Sequence, residues 1–186
     1  MPRVSETIKH DHRELKEYYE KIVNAKDADM GTRWGNKFVW ELARHSVAEE
    51  LVVYPALINH IDHGQVIADK DRKEHQKVKE LLYDFQKLDA TDQDFYPKLE
   101  DIMTHLRQHM EEEEDEDLPS LESVLDNMES EEMSRKFERT KILVPTRSHP
   151  SAPTQPFFET VVGLLQAPID RITDIMRKWP EEEDEE

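Results

Sequence analysis

HSVAEELVVYPAL, residues 45–57, is restated by HMEEEEDEDLPSL, residues 109–121. His45, Glu49, Glu50, Pro55 and Leu57 find counterparts in His109, Glu113, Glu114, Pro119 and Leu121, so the chain contains an internal repeat. In each copy a carboxylate follows the imidazole by four residues, which places both on one face of a helix. Two such helices facing each other aim two imidazoles and two carboxylates at one point. Imidazole nitrogen with carboxylate oxygen suits iron, manganese or zinc, and a carboxylate has two oxygens with which to bridge a metal pair. For a single copy a core ion pair is the cheaper reading; the tandem repetition favours metal.

Around the two copies the apolar residues recur at helical spacing. A first helix is expected over residues 5–25, with Ile8, His12, Leu15, Tyr19 and Ile22 in its stripe. KDADMGTRWG reads as a loop. A second helix is expected over 34–57, carrying Phe38, Leu42, His45 and Glu49, with Pro55 kinking or ending it. The third spans about 65–88 through Asp71, His75, Val78, Leu82 and Phe85. The fourth runs over 94–118 through Leu99, Ile102, Leu106, His109 and Glu113. His105, one turn before His109, is a candidate further ligand or outer partner. His60 and His63 fall outside the stripes and read as solvated, as does most of EEEEDED. Glu49 and Glu113 stand out because burying a carboxylate without a partner costs several kcal/mol.

Composition narrows the chemistry. The 186 residues carry 43 Asp and Glu against 25 Lys and Arg, a formal charge of -18, which disfavours nucleic acid and anionic membranes as partners. The absence of cysteine removes disulfides, thiolate catalysis, iron–sulfur clusters and cysteine-bound zinc, so any metal is held by nitrogen and oxygen. The opening MPRVSETIKHDHREL has no apolar core of signal-peptide length and no stretch reaches a membrane span, which points to a cytoplasmic protein. Four glycines and few alternating β-branched runs point to an all-α fold.

Past the second copy a less regular helix is expected over 121–139. PTRSHPSAPTQP then reads as an extended linker with His149 idle, followed by an amphipathic helix over 157–179 bent at Pro168 and a disordered acidic tail. Its stripe of Val161, Leu164, Leu165, Ile169, Ile172, Ile175, Met176 and Trp179 is expected to bury against the body of the domain, a partner or a second copy. The domain plan is therefore 1–128 for the bundle, 129–156 for the helix end and linker, 157–179 for the amphipathic helix and 180–186 for the tail.

His12, His45, Glu49, His75, His109 and Glu113 would meet in the core of an up-down-up-down four-helix bundle, leaving an anionic hole that a cation pair fills. The ferritin-like pattern of Glu followed by His three residues on is absent, as is the paired-His metalloprotease signature. KHDHREL, HSVAEELVVYP, EHQKVKELL and HMEEEEDEDLP together resemble the four ligand segments of hemerythrin-like proteins with the HHE cation-binding domain, over about residues 5–121. Fungal relatives are also similar in the linker and in FETV and LLQAPID. The resemblance implies two non-haem irons with an oxo or hydroxo bridge, spanned by Glu49 and Glu113 and capped by His12, His45, His75 and His109. In the oxygen carriers of that family the third helix supplies two histidines a turn apart. Here the earlier position is Asp71, which either ligates or leaves the position open to water.

Three functions follow as expectations. The first is a soluble di-iron protein that binds or senses oxygen, nitric oxide or peroxide, or handles iron. The second is a di-iron peroxidase, catalase-like or nitric-oxide-reducing enzyme with Glu50, Glu114 or Tyr19 donating protons. The third is a helical interaction module that metal merely stabilises, with a protein partner or self-association through 157–179. Zinc and manganese would accept the same ligands.

Overall fold

A computed structural model describes residues 1–151 and 167–181; the expectations for 157–166 and for most of the acidic tail lie outside the described residues. Among the described residues every regular element is helical. α1 (Val4–Val23) pairs with α2 (Ala28–Ala48), and α4 (Gly64–Phe85) pairs with α5 (Phe95–Glu112), giving the up-down-up-down bundle that the stripes predict. Leu15, Tyr19, Ile22, Phe38, Leu42, Val78, Leu82, Phe85, Leu99, Ile102 and Leu106 fill one end of the core, and every one of them is a stripe position. No helix among the described residues is long and apolar enough to cross a membrane.

The two copies of the repeat adopt the same local device. After α2 the chain widens into a π-helical turn over Glu49–Val53 and resumes as α3 (Tyr54–His60). After α5 it widens over Glu113–Asp117 and resumes as α6 (Leu118–Val124). In each the amide after the wide turn reaches back five residues, Tyr54 to the Glu49 carbonyl and Leu118 to the Glu113 carbonyl. Pro55 and Pro119 follow directly. A proline in a regular helix removes the bond to the carbonyl four residues back, and here each falls in the first turn of the resumed helix, where no such bond is needed. Pro55 therefore does not end the helical run, which continues to His60. The Glu that opens each wide turn is fully buried.

Three boundaries differ from expectation for identifiable reasons. The segment read as a loop is the first two turns of α2, because Asp27 caps it by accepting from the Met30 amide at 2.9 Å. Gly31 and Gly35 serve packing there rather than a turn: a β-carbon on Gly35 would lie 2.9 Å from Phe95 Cζ. The helix expected over 121–139 is broken at Leu125, and Asp126 starts α7 (Asn127–Leu143) with a reciprocal cap to Glu129. α7 packs on α1 and α2, with Ser134 bonded to Thr7 at 2.7 Å, Ser130 to the Val4 amide at 3.0 Å and Phe137 fully buried.

Residues 144–151 lie across α4, where the Ser148 hydroxyl donates to the Lys79 carbonyl and Gln86 bonds both backbone groups of Ser148. The last described helix, α8 (167–174), docks through its polar side. Asp170 and Asp174 are buried against His149 and Thr146, so His149 is not idle. Ile169, Ile172, Ile175 and Met176 consequently face outward, so this part of the stripe does not bury against the body of its own domain. Trp179 packs edge-on to Trp40, while Arg33 and Asn36 donate to the carbonyls of Trp179 and Lys178.

Candidate metal centre

His12, His45, Glu49, His75, His109 and Glu113, from α1, α2, α4, α5 and the two wide turns, are all buried and converge between the helices. One Glu49 oxygen lies 3.0 Å from His45 Nε2 and 3.9 Å from His12 Nε2, and the other lies 3.3 Å from His75 Nε2. Glu113 Oε2 lies 3.4 Å from His12 Nε2 and 3.8 Å from His109 Nε2. His75 Nε2 and His109 Nε2 approach to 2.9 Å. Two overlapping ligand triads result, His12–His45–Glu49 and Glu49–His75–His109, each with its ligand atoms within 4.8 Å of one another. Glu49 belongs to both, and Glu113 reaches across both.

The outer side of each ring is also fixed. His12 Nδ1 meets Glu114 at 2.8 Å, His45 Nδ1 meets Asp11 at 3.1 Å, His75 Nδ1 meets Glu50 at 3.2 Å and His109 Nδ1 meets Glu74 at 3.0 Å. An ionised carboxylate only accepts, so each Nδ1 carries a proton and each Nε2 is the atom left to face the centre. This is the arrangement by which outer carboxylates orient metal-binding imidazoles and raise their basicity.

The centre has the pseudo-two-fold relation of the repeat, extended to helices where the sequence reading found none. Asp11, His12 and Lys16 on α1 correspond to Glu74, His75 and Lys79 on α4, a shared pattern of acid, His, two residues, an aliphatic residue and Lys. That pattern was the available signal for Asp11 and Glu74, which were not singled out. Glu50 and Glu114, expected as proton donors, hold His75 and His12 crosswise between the halves. Tyr54 was also missed: fully buried, its hydroxyl lies 3.0 Å from His75 Nε2. Its counterpart in the other copy is Leu118. Asp71, too, is buried, where the corresponding position of α1 is Ile8. The His75–His109 half is thus the more polar of the two. His105 is exposed and lies away from the centre, since at about 100° per residue it is rotated to the edge of the face that Leu99, Ile102, Leu106 and His109 turn inward; the buried residue at its repeat position is Glu41. His60 and His63 are exposed as expected, and His63 adopts a left-handed backbone at the start of α4.

The electrostatics are those of a carboxylate-rich, imidazole-lined site. Burial pushes the His12, His45 and His75 rings toward neutrality, yet their carboxylate neighbours outweigh it. His12 is raised by Glu113 and Glu114, His45 well above its ordinary value by Glu49 and Asp11, and His75 to about 9 by Glu49 and Glu50. Burial works against ionisation of Glu49, but His45 and His75 hold its carboxyl well below the usual range. For Asp71 the balance goes the other way: burial, then Asp117 and Glu113, outweigh His75 and push it up to about 8. Burial and Glu113 likewise take Asp117 to about 6.

The residues fit a metal pair by a test independent of family. His12 Nε2, both oxygens of Glu49 and both of Glu113 are buried and lack a hydrogen-bond partner. Buried polar atoms are rarely left so. Five of them pointing into one space are the donor set a pair of cations would use.

A profile of the hemerythrin HHE cation-binding domain matches residues 3–121. An uncharacterized hemerythrin-like protein of Schizosaccharomyces pombe is 53% identical over 181 residues, covering 97% of this chain and 89% of the relative. The crystal structure of a hemerythrin HHE cation-binding domain-containing protein from Mycobacterium kansasii superposes with a TM-score of 0.65 at 22% identity, covering 76% of this chain and 86% of that one, which establishes likeness of fold.

Proposed function

The chain belongs to the hemerythrin HHE cation-binding family, and from that premise we propose that its centre holds two irons and presents them to oxygen, nitric oxide or peroxide as a sensor, scavenger or store. One observation carries this reading: all four imidazoles have Nδ1 fastened to a carboxylate and Nε2 turned toward two carboxylates that lack donors. His12 and His45 would hold one ion, His75 and His109 the other, with Glu49 and Glu113 shared between them. When bound, an iron pair supplies redox equivalents and Lewis acidity to a small ligand.

The chain's own groups set where that ligand is met. Tyr54 carries a phenolic proton at 3.0 Å from His75 Nε2, and the buried Asp71 carboxyl lies in the same half. Ile8 and Leu118, at the corresponding positions of the other half, are fully buried and apolar. A small ligand is therefore bound and oriented at the His75–His109 half, where hydroxyl and carboxyl groups hydrogen-bond it and the surrounding core excludes bulk water. The same two groups favour, as a second reading, turnover of peroxide or nitric oxide, because each holds a proton within the half that needs one. Metal analysis with an optical spectrum on protein made in iron-rich cells tests the first reading. Fewer than one metal per chain, with no near-ultraviolet ligand-to-metal absorption, sinks it. Steady turnover lost in Tyr54→Phe would establish the second; stoichiometric binding without turnover removes it.

A further inference from the structure

The four carboxylates behind the imidazoles differ in what stands behind them. Glu114 and Glu74 are partly exposed and meet half-exposed lysines, Lys16 at 3.7 Å and Lys70 at 3.9 Å. Glu50 is buried and held by Lys79 at 2.7 Å, from the same helix as His75. Asp11 is buried and accepts from Lys141 Nζ at 2.6 Å. Lys141 lies on α7, beyond the residues that match the family profile and outside both helix pairs.

Lys141 is itself buried and also meets Glu41 Oε1 at 2.6 Å, one turn before His45 on α2. One turn before Lys141, Phe137 packs edge-on to the His45 ring with centroids 5.9 Å apart. α7 thus grips one imidazole twice, by an aromatic edge and by a Lys141–Asp11–His45 chain of 2.6 and 3.1 Å. With Lys141 gone, Asp11 would lose the cation that fixes its carboxylate between α7 and the ring, and the ring would lose its anchor.

We propose that Lys141 is a positioning residue of the metal centre, fixing His45 through Asp11, so that α7 is part of the site and serves the His12–His45 half in particular. The proposal rests on the paired-cation reading above. Outer partners of metal-binding imidazoles change affinity by roughly 10–100-fold when removed. The test uses the full chain, stripped by chelation and titrated with Co²⁺ while the visible spectrum is followed. Wild-type protein is expected to take up two equivalents. Lys141→Met is expected to bind one as wild type does and the other roughly 10–100-fold more weakly, with the visible bands of that one altered. Glu41→Gln/Lys141→Met removes an anion together with the cation, which keeps the fold measurable should the single variant not fold, and is expected to show the same one-site loss. Two equivalents bound with wild-type affinity and bands, or two weakened alike, overturn the role of Lys141 and leave the centre standing. Fewer than two equivalents in the wild type overturn the paired-cation reading and the proposal with it.

Discussion

Replacing Glu113 by Gln separates a metal ligand from an ordinary core ion pair, because the two roles predict opposite signs without metal. Glu113 is buried, neither oxygen has a hydrogen-bond donor, and its nearest imidazole nitrogens are His12 Nε2 at 3.4 Å and His109 Nε2 at 3.8 Å. Its charge is also one of the causes that raise Asp71 to about 8 and Asp117 to about 6. Gln keeps the shape and removes the anion. Relief of an unsatisfied buried group is worth about 1–3 kcal/mol, part of which is given back by His12, whose charged form Glu113 favours. In chelator, Glu113→Gln should therefore melt at or above the wild-type temperature, by up to roughly 2–4 °C for each kcal/mol in a chain of this length. With metal the sign reverses. Occupancy at a hundredfold excess over Kd stabilises by about 2.7 kcal/mol per site, and a ligand shared by both sites takes much of that with it. Differential scanning calorimetry in chelator and with anaerobic Fe²⁺ measures both arms. A variant that melts equally far below wild type in the two conditions would falsify the ligand role and leave Glu113 as a structural partner of His12 and His109.

Metal uptake by the chelated protein should release protons. His12, His45 and His75 have folded pKa values raised above the ordinary 6.5, so their contribution to stability is full below that pH and is lost as pH rises through the folded values, for His75 about 9. In weakly buffered dye solution at pH 7.5 protons should appear as both sites fill, and fewer above pH 9; no release means that the imidazoles are not the ligands. Glu122 accepts from the Ser5 amide at 3.1 Å and from the hydroxyls of Ser5 and Ser130 at 2.6 and 3.0 Å, joining α1, α6 and α7. Despite burial, those bonds and Arg3 hold its carboxyl below the ordinary 4.5, so its contribution is present above that pH and lost as pH falls. Glu122→Gln should cost about 1–2 kcal/mol in urea titrations at pH 7, and the gap to wild type should narrow below pH 4; an equal gap at both pH values contradicts this. Gly64→Ala should be the harshest single-methyl change, more than about 2 kcal/mol by the same titration, since its β-carbon would sit 1.9 Å from the Leu57 carbonyl oxygen; a wild-type midpoint would show that the α3–α4 junction yields.

The bundle was legible because Ile8, Leu15, Tyr19 and Ile22 on α1, and their like on the other three long helices, repeat at spacings only a helix can bury on one side. The six central residues were legible because each interrupts such a stripe with a group that should not be there. The carboxylates that orient the rings were harder to see. Asp11 and Glu74 each stand next to a candidate ligand in sequence, and on an acidic chain a neighbouring acid reads as solvated surface. What makes Asp11 a partner of His45 is the approach of α1 to α2, and what makes it a buried one is Lys141 arriving from more than a hundred residues away.

Two departures from hydrophobic patterning remain, and they differ in kind. Glu49 and Glu113 lie buried where the pattern asks for apolar groups, with imidazoles around them, so a cation held between them would meet the cost of burial. Ile169, Ile172, Ile175 and Met176 are exposed where the pattern asks for burial. The cause is local. The side of α8 opposite its stripe carries Asp170 and Asp174, which meet His149, Thr146 and Arg147 on the strap over α4. Turning the helix over would bury the isoleucines but break the bonds of Asp170 and Asp174, leaving the buried Thr146 hydroxyl without its partner and His149 without its carboxylate. The same rule that selects cations for the centre of the bundle thus selects the face on which the last helix docks.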